Sequence, residues 1–135
     1  SLIDTNILVY ADSSDEPQRQ RMAIDVIKAH RAAGTAVLSV QVLQEFTQVA
    51  LRKLGLPTAL LRERLAFYGR FDLVATTPQL IEGALDLNVL HGIAFYDALI
   101  VQAAISSGCA QVLSEDLQHD RVIGGVRIVN PFIAV

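Results

Sequence analysis

The chain has 135 residues, of which 52% are hydrophobic, with a formal net charge of −3 and a mean hydropathy of +0.40. This length is typical of one domain and is enough to bury one hydrophobic core, so a single domain over residues 1–135 is expected. The acidic balance disfavours a protein that grips nucleic acid over a broad basic surface, because such binding depends on phosphate neutralisation. Any contact with nucleic acid is therefore expected to be local.

Composition also predicts the compartment. The richest apolar stretch, residues 98–105, is interrupted by Gln102 and is far shorter than the roughly 20 residues of a membrane helix. Asp4 lies where the apolar region of a signal peptide would form, and the single cysteine, Cys109, cannot form an internal disulfide. The sequence thus predicts a cytoplasmic protein with no membrane span. Its high apolar fraction indicates that some of the surface meets a partner.

The first half of the chain is predicted to contain two strand-helix units. Residues 2–4 end a short buried strand, and Pro17 opens a helix that runs to about residue 33 and is closed by Gly34. Residues 36–39 form a second strand. The segment 40–54 follows as a helix, because its apolar side chains recur along one helical stripe.

The second half continues the alternation. A surface helix follows a break at residues 56–58, residues 72–75 can pair as a strand, and Thr77 with Pro78 opens a helix to about residue 90. A nearly charge-free helix over residues 96–107 precedes two apolar strands at 112–113 and 126–129. This order predicts an α/β fold with a central, mostly parallel sheet and helices on both faces. Ligands of such folds collect outside the carboxyl ends of the strands.

Four carboxylates occupy positions that can converge on that edge. Asp4 ends the first strand, Glu45 lies in the second turn after the second strand, Asp97 opens the apolar helix, and Asp116 follows strand 112–113. Asp97 is the only charged residue of segment 94–114, and a buried carboxylate needs a counter-charge or hydrogen-bond donors. Neighbouring acids raise each other's pKa unless a cation holds them. Oxygen ligands of this kind suit Mg²⁺ or Mn²⁺, whereas zinc prefers Cys and His.

Each acid also has a simpler explanation when it is taken alone. Asp97 can stabilise a helix N-terminus through the free N–H groups there. Asp4 and Asp116 lie among turn-forming residues, and Glu115 is the acid of the second turn that is expected to be solvated. Glu45 shares a helical face with polar residues, as on a solvated surface: Gln41, Gln48 and Arg52.

Five segments occur in an order that is specific as a set. They are residues 4–11 (Asp-Thr-Asn-Ile-Leu-Val-Tyr-Ala), Glu45, residues 95–98 (Phe-Tyr-Asp-Ala), residues 113–118 (Leu-Ser-Glu-Asp-Leu-Gln) and residues 129–132 (Val-Asn-Pro-Phe). Across nearly the whole chain this set resembles VapC-type PIN domains, the ribonuclease toxins of bacterial VapBC toxin/antitoxin pairs. The resemblance implies a PIN-like α/β/α sandwich and an endoribonuclease that depends on Mg²⁺ or Mn²⁺.

Carried over residue by residue, the resemblance implies that Asp4, Asp97 and Asp116 bind Mg²⁺ and act in catalysis. Glu45 would be a further acidic ligand and catalytic residue, direct or through water, and Thr5, Asn6 and Ser114 would support the acids. Whether one ion or two is bound stays open. The resemblance further implies an RNA substrate, a cognate antitoxin and a toxin homodimer. Contact with RNA would fall to basic helix residues that could equally face solvent: Arg19, Arg21, Arg52, Lys53, Arg62 and Arg64.

Two rival functions are weighed against this one. A phosphatase with an aspartyl nucleophile usually has a second Asp two residues after the first, whereas Asn6 follows Asp4, and neither Lys28 nor Lys53 is suitably placed. A catalytically silent PIN-like module would bind RNA or protein without cutting, and the intact acids argue against it. Stabilisation by Mg²⁺ or Mn²⁺ separates a metal-binding nuclease from such a module.

Overall fold

A computed structural model describes residues 1–133, in which one sheet of six strands is combined with six helices. The strands are β1 Leu2–Ile3, β2 Val37–Ser39, β3 Asp72–Val74, β4 Gln111–Leu113, β5 Val122–Ile123 and β6 Val126–Val129. The helices are α1 Thr5–Ala11, α2 Pro17–Ala33, α3 Val40–Val49, α4 Thr58–Tyr68, α5 Pro78–His91 and α6 Phe95–Ser106. A π-helical turn, Ala50–Leu54, directly continues α3.

The sheet has the strand order β3-β2-β1-β4-β6-β5. All neighbouring strands are parallel except β5, which pairs with β6 in the antiparallel direction. Leu2 of β1 lies between Val37 of β2 and Val112 of β4. The carboxyl ends of these three strands therefore share one edge, and the predicted α/β/α sandwich with a mostly parallel sheet is confirmed.

The core is centred on β1 and its two neighbours. Leu2, Ile3, Leu38 and Val112 are fully buried, as expected for strands of a parallel sheet covered by helices. Helix α6 buries six of its residues and packs against α5. Within residues 1–133 no single helix is both long and apolar enough to cross a membrane; α5 and α6 meet those limits only as a pair bent by 116°.

Three features differ from the predicted elements. Helix α1 begins directly after β1, where only turn-forming residues are apparent, because the side chain of Asp4 accepts a hydrogen bond from the Thr5 N–H and caps the helix. The helix predicted over residues 40–54 is α-helical only to Val49 and then changes to the π turn. The hairpin of β5 and β6 is also unpredicted: β6 lies where a strand is expected, but β5 has only two residues, although Gly124 and Gly125 are typical of a hairpin turn.

The two hairpin glycines provide a matched test of packing. Both have positive φ angles, +56° at Gly124 and +82° at Gly125, so alanine at either is expected to cost about 1–2 kcal/mol of strain. A Cβ on Gly124 would lie 2.6 Å from Ile105 Cδ1, whereas one on Gly125 would meet no atom within 4 Å. Gly124→Ala should therefore lower the free energy of unfolding by about 1 kcal/mol more than Gly125→Ala, as measured by urea denaturation. Equal losses would contradict the packing between the hairpin and α6.

Candidate functional site

The structure brings the predicted acids to the carboxyl edge of β1, β2 and β4. Asp4 follows β1, Asp116 follows β4, Glu45 lies on α3 immediately after β2, and Asp97 lies in the first turn of α6. Asp4 and Asp116 are joined through Asn6, whose Nδ2 donates to Asp4 Oδ2 at 3.4 Å and to Asp116 Oδ2 at 3.1 Å. Asp4 and Asp116 are therefore linked at this edge, and Glu45 and Asp97 lie on the helices beside it.

Asp4 is the most buried of the four acids, with 7% of its surface exposed. One carboxylate oxygen accepts from the Thr5 N–H at 2.7 Å, and the other accepts from the Ser114 hydroxyl at 2.7 Å. Burial raises the pKa of Asp4 to about 6; the hydrogen bonds from Ser114 and Thr5 oppose this rise, and the nearby charges of Glu45 and Asp116 add to it. Asp4 is therefore an anion that a nearby cation would stabilise.

Asn6 fixes the turn that carries Ser114 and Asp116. Its side-chain oxygen accepts from the Glu115 N–H at 3.2 Å, while its Nδ2 donates to Ser114 Oγ at 3.3 Å and to Asp116. The Asp116 N–H in turn donates to Ser114 Oγ at 3.1 Å. Helix α1 therefore holds the turn after β4 in place, as the predicted supporting role of Asn6 and Ser114 requires.

Glu45 is held by polar groups on both of its oxygens. Thr5 Oγ1 donates to Glu45 Oε2 at 3.0 Å, and Gln41 Nε2 donates to Glu45 Oε1 at 2.8 Å. Gln41 is buried, and its Nε2 also contacts the carbonyl oxygen of Tyr96 in α6 at 3.2 Å. The helix face expected to be solvated therefore links α3 to α6 at this position, a role that sequence reasoning did not assign to Gln41.

Asp97 is partly buried, and its pKa is raised by that burial and then by the charges of Asp116 and Glu45. It lies in the first turn of α6, which has no side-chain cap, so it can also stabilise the helix dipole. The position of Asp97 therefore agrees with the helix-stabilising explanation, and its role as a metal ligand stays a prediction. Electrostatic coupling to two other acids distinguishes it from an ordinary capping residue.

The donor set has the chemistry that a hard divalent cation prefers. Carboxylate oxygens and the Ser114 hydroxyl lie at this edge, which matches Mg²⁺ or Mn²⁺. In the part of the chain that the structure describes, no three Asp, Glu, His or Cys side chains already stand close enough to hold one ion. An ion at this edge would therefore be bound either after carboxylates move toward Asp4 or with water and substrate oxygens completing its coordination.

Two of the basic residues predicted to contact RNA are engaged within the protein. Arg19 forms an ion pair with Glu115 and lies over the rings of Tyr10, at 5.3 Å, and Phe132, at 5.1 Å. The Tyr10 hydroxyl also donates to Glu115 Oε1 at 2.7 Å, so the expectation that Glu115 is a solvated acid is wrong. Arg64 pairs with Asp12 at 2.9 Å. Aromatic residues and Arg19 thus hold Glu115, next to Asp116.

Removing the hydroxyl of Ser114 tests the support of Asp4. Ser114→Ala takes one hydrogen bond from a buried carboxylate and leaves the Asp116 N–H and the Asn6 amide with one acceptor fewer. Loss of an outer partner of this kind is expected to lower metal affinity about 10- to 100-fold, measured by Mn²⁺ titration. Ser106→Ala, at an exposed site at the end of α6, is the matched control. Unchanged affinity in Ser114→Ala would show that this hydroxyl does not organise the site.

Comparison with solved structures finds chains with the same fold. A toxin-antitoxin complex from Klebsiella pneumoniae matches with a TM-score of 0.73 and 18% identity, over 98% of each chain. The VapC20 toxin of Mycobacterium tuberculosis, which cleaves the sarcin-ricin loop, matches with a TM-score of 0.66 and 19% identity, over 85% of this chain and 90% of that chain. VapBC2 from Rickettsia felis, bound to a DNA fragment from its promoter, matches with a TM-score of 0.67 and 18% identity, over 94% of this chain and 95% of that chain.

Sequence comparison identifies the family. A search of curated proteins gives no significant match. The family model described as PIN domain matches residues 1–124, which include all four acids and the residues that hydrogen-bond to them. The predicted resemblance is therefore confirmed at the level of the family. The chain belongs to the PIN-domain family.

Proposed function

We propose that the protein is an endoribonuclease dependent on Mg²⁺ or Mn²⁺ and the toxin of a VapBC-like pair. The observation that supports this most strongly is the environment of Asp4. A buried carboxylate with a pKa raised to about 6, coupled to Glu45 and Asp116, has no ion-pair partner among residues 1–133. Such a group is costly to keep in a fold unless a cation binds it.

The four acids have the ligand role in this proposal. Asp4, Asp97 and Asp116 hold the ion, and Glu45 is a further ligand, direct or through water. When bound, a divalent ion neutralises the phosphate and lowers the pKa of the attacking water. Ser114 and the Thr5 N–H orient the oxygens of Asp4, while Gln41 orients Glu45. No covalent nucleophile is required.

The assignment of RNA as the substrate rests on the family resemblance. It is supported by the similar fold of VapC20, a toxin that cleaves the sarcin-ricin loop. A pool of structured RNAs and a matched DNA pool should be incubated with antitoxin-free protein in Mg²⁺, Mn²⁺ and EDTA. Cleavage of RNA alone, lost in EDTA, is expected. Binding without cleavage in any buffer would favour a silent binding module, and cleavage of DNA alone would contradict the proposed substrate.

The proposal includes two protein partners, a cognate antitoxin and a second copy of the chain. Exposed apolar side chains support such contacts: on α5, Ile81, Leu85 and Val89 recur every four residues and are 43%, 53% and 74% exposed. A row of this kind on a helix is typical of a surface that packs against another protein. Light scattering of the purified chain tests the homodimer, with twice the chain mass as the expected result.

A further inference from the structure

One lysine faces the acidic cleft beside the candidate site. The cleft has a volume of about 810 Å³ and includes Thr5, Asn6, Glu45 and Asp116 in its wall. Of the described residues that line it, five are carboxylates and Lys53 is the only cation. Lys53 is exposed and makes no ion pair within residues 1–133, in contrast to Arg19.

The π turn explains why Lys53 occupies this position. In a regular α-helix, which advances about 100° per residue, Arg52 lies two turns after Glu45 and shares its face. A π-helix closes its hydrogen bonds one residue later, so a turn holds roughly one more residue. The Ala50–Leu54 turn accordingly brings Lys53 and Leu54 to the cleft wall, which does not include Arg52.

The unusual backbone is supported locally. The Leu56 N–H donates to the Ala50 carbonyl oxygen at 3.1 Å, and Gly55 closes the turn with a φ of +59°. Ala50 is fully buried, so the turn is anchored in the core at its first residue. π-Helical turns are rare and often occur at functional sites. Because of this turn, Lys53 faces the cleft and its neighbour Arg52 does not.

We propose that Lys53 is a substrate-binding residue that contacts a backbone phosphate of RNA in this cleft. The inference rests on the proposed ribonuclease function and assigns a phosphate-binding position to it. Lysine is suited to this role because its ammonium group carries three donors on a flexible stem. In a cleft lined by carboxylates, a polyanion is repelled unless a cation offsets the local charge. The proposal gives Lys53 a role in binding the substrate and none in the chemical step.

Steady-state cleavage of a short single-stranded RNA in Mg²⁺ tests the proposal. At about 50 mM salt, Lys53→Gln should raise KM roughly 5- to 10-fold with kcat changed less than about threefold, because one phosphate contact is lost. The slope of log(kcat/KM) against log salt should become shallower by about 0.7, and Lys53→Arg should restore most of the affinity. Lys28→Gln, on α2, is the control for net charge, and Arg52→Gln should affect KM much less than Lys53→Gln.

The outcomes separate the two proposals. If the wild type cleaves RNA and Lys53→Gln has an unchanged KM, or if Arg52→Gln raises KM as much, the assignment of Lys53 is wrong and the nuclease proposal stands. If the wild type cleaves neither this RNA nor any member of the structured-RNA pool, the nuclease proposal fails, and fluorescence anisotropy of the same labelled RNA then tests whether Lys53 contributes to binding. Weaker binding only in Lys53→Gln would then support the phosphate contact, and equal binding by both proteins would overturn it.

Discussion

Asp97→Asn is expected to lower RNA cleavage by more than about a hundredfold while leaving the fold intact. Loss of an outer partner of a metal ligand costs about 10- to 100-fold, so loss of a ligand's charge should exceed that range. The amide keeps the size of the side chain and, at a partly buried position in the first turn of α6, does not disturb the core. Single-turnover cleavage with excess protein measures the effect without interference from product release.

The control is Asp86→Asn, which makes the same chemical change at an exposed position of α5. It should cleave RNA at the wild-type rate. Circular dichroism and thermal unfolding of both variants exclude misfolding as the cause of a loss. Undiminished cleavage by a folded Asp97→Asn protein would remove Asp97 from the site and leave it as a residue that stabilises the N-terminus of its helix.

Asp4→Asn is expected to have two opposite effects, loss of cleavage and a more stable metal-free protein. The pKa of Asp4 is raised to about 6 in the folded protein, above the 3.8 of the unfolded chain. The folded state therefore binds more protons between these values, and the free energy of unfolding falls as the pH rises from about 4 through 6. At neutral pH the cost of the buried charge is about 3 kcal/mol, and the neutral amide avoids it.

Urea denaturation in EDTA measures this effect. The gain from Asp4→Asn should be close to zero near pH 4 and about 1–3 kcal/mol at pH 7.5, since the amide accepts fewer of the hydrogen bonds from Ser114 and Thr5. Mg²⁺ at about 100 times its Kd should stabilise the wild type by about 2.7 kcal/mol and leave the variant unchanged. A variant that is less stable than the wild type at both pH values would contradict the claim that the buried charge of Asp4 destabilises the metal-free protein.

The sequence predicts the fold well where a hydrophobic periodicity extends over a long helix and where a strand consists of apolar residues. The α2, α5 and α6 helices occur close to the predicted ends, because glycine, proline and capping residues mark them. Helix α1 is not predicted, since seven residues show little periodicity and Asp4 and Asn6 are common turn formers. The π turn is likewise invisible in sequence, because Arg52 and Lys53 are both ordinary residues for the end of a helix.

The candidate acids are predictable because their chemistry and topology combine. A carboxylate at the end of each of two central parallel strands falls at the same edge of the sheet, as Asp4 and Asp116 do. Tertiary contacts that connect distant segments are not predictable in the same way. Gln41 contacts α6, and Arg19 pairs with Glu115, through packing that no local pattern records. The helix face of Glu45 appears solvated in sequence for the same reason.

Isothermal titration calorimetry of the metal-free protein with Mn²⁺ tests the central claim most directly. It detects the site itself and does not depend on knowing which RNA is cleaved. We predict at least one bound ion for each wild-type chain, binding lost or strongly weakened in Asp4→Asn, and binding unchanged in Asp86→Asn. If the wild type binds no ion, or if Asp4→Asn binds as the wild type does, the acids at this edge are not a metal site and the proposed nuclease chemistry is wrong.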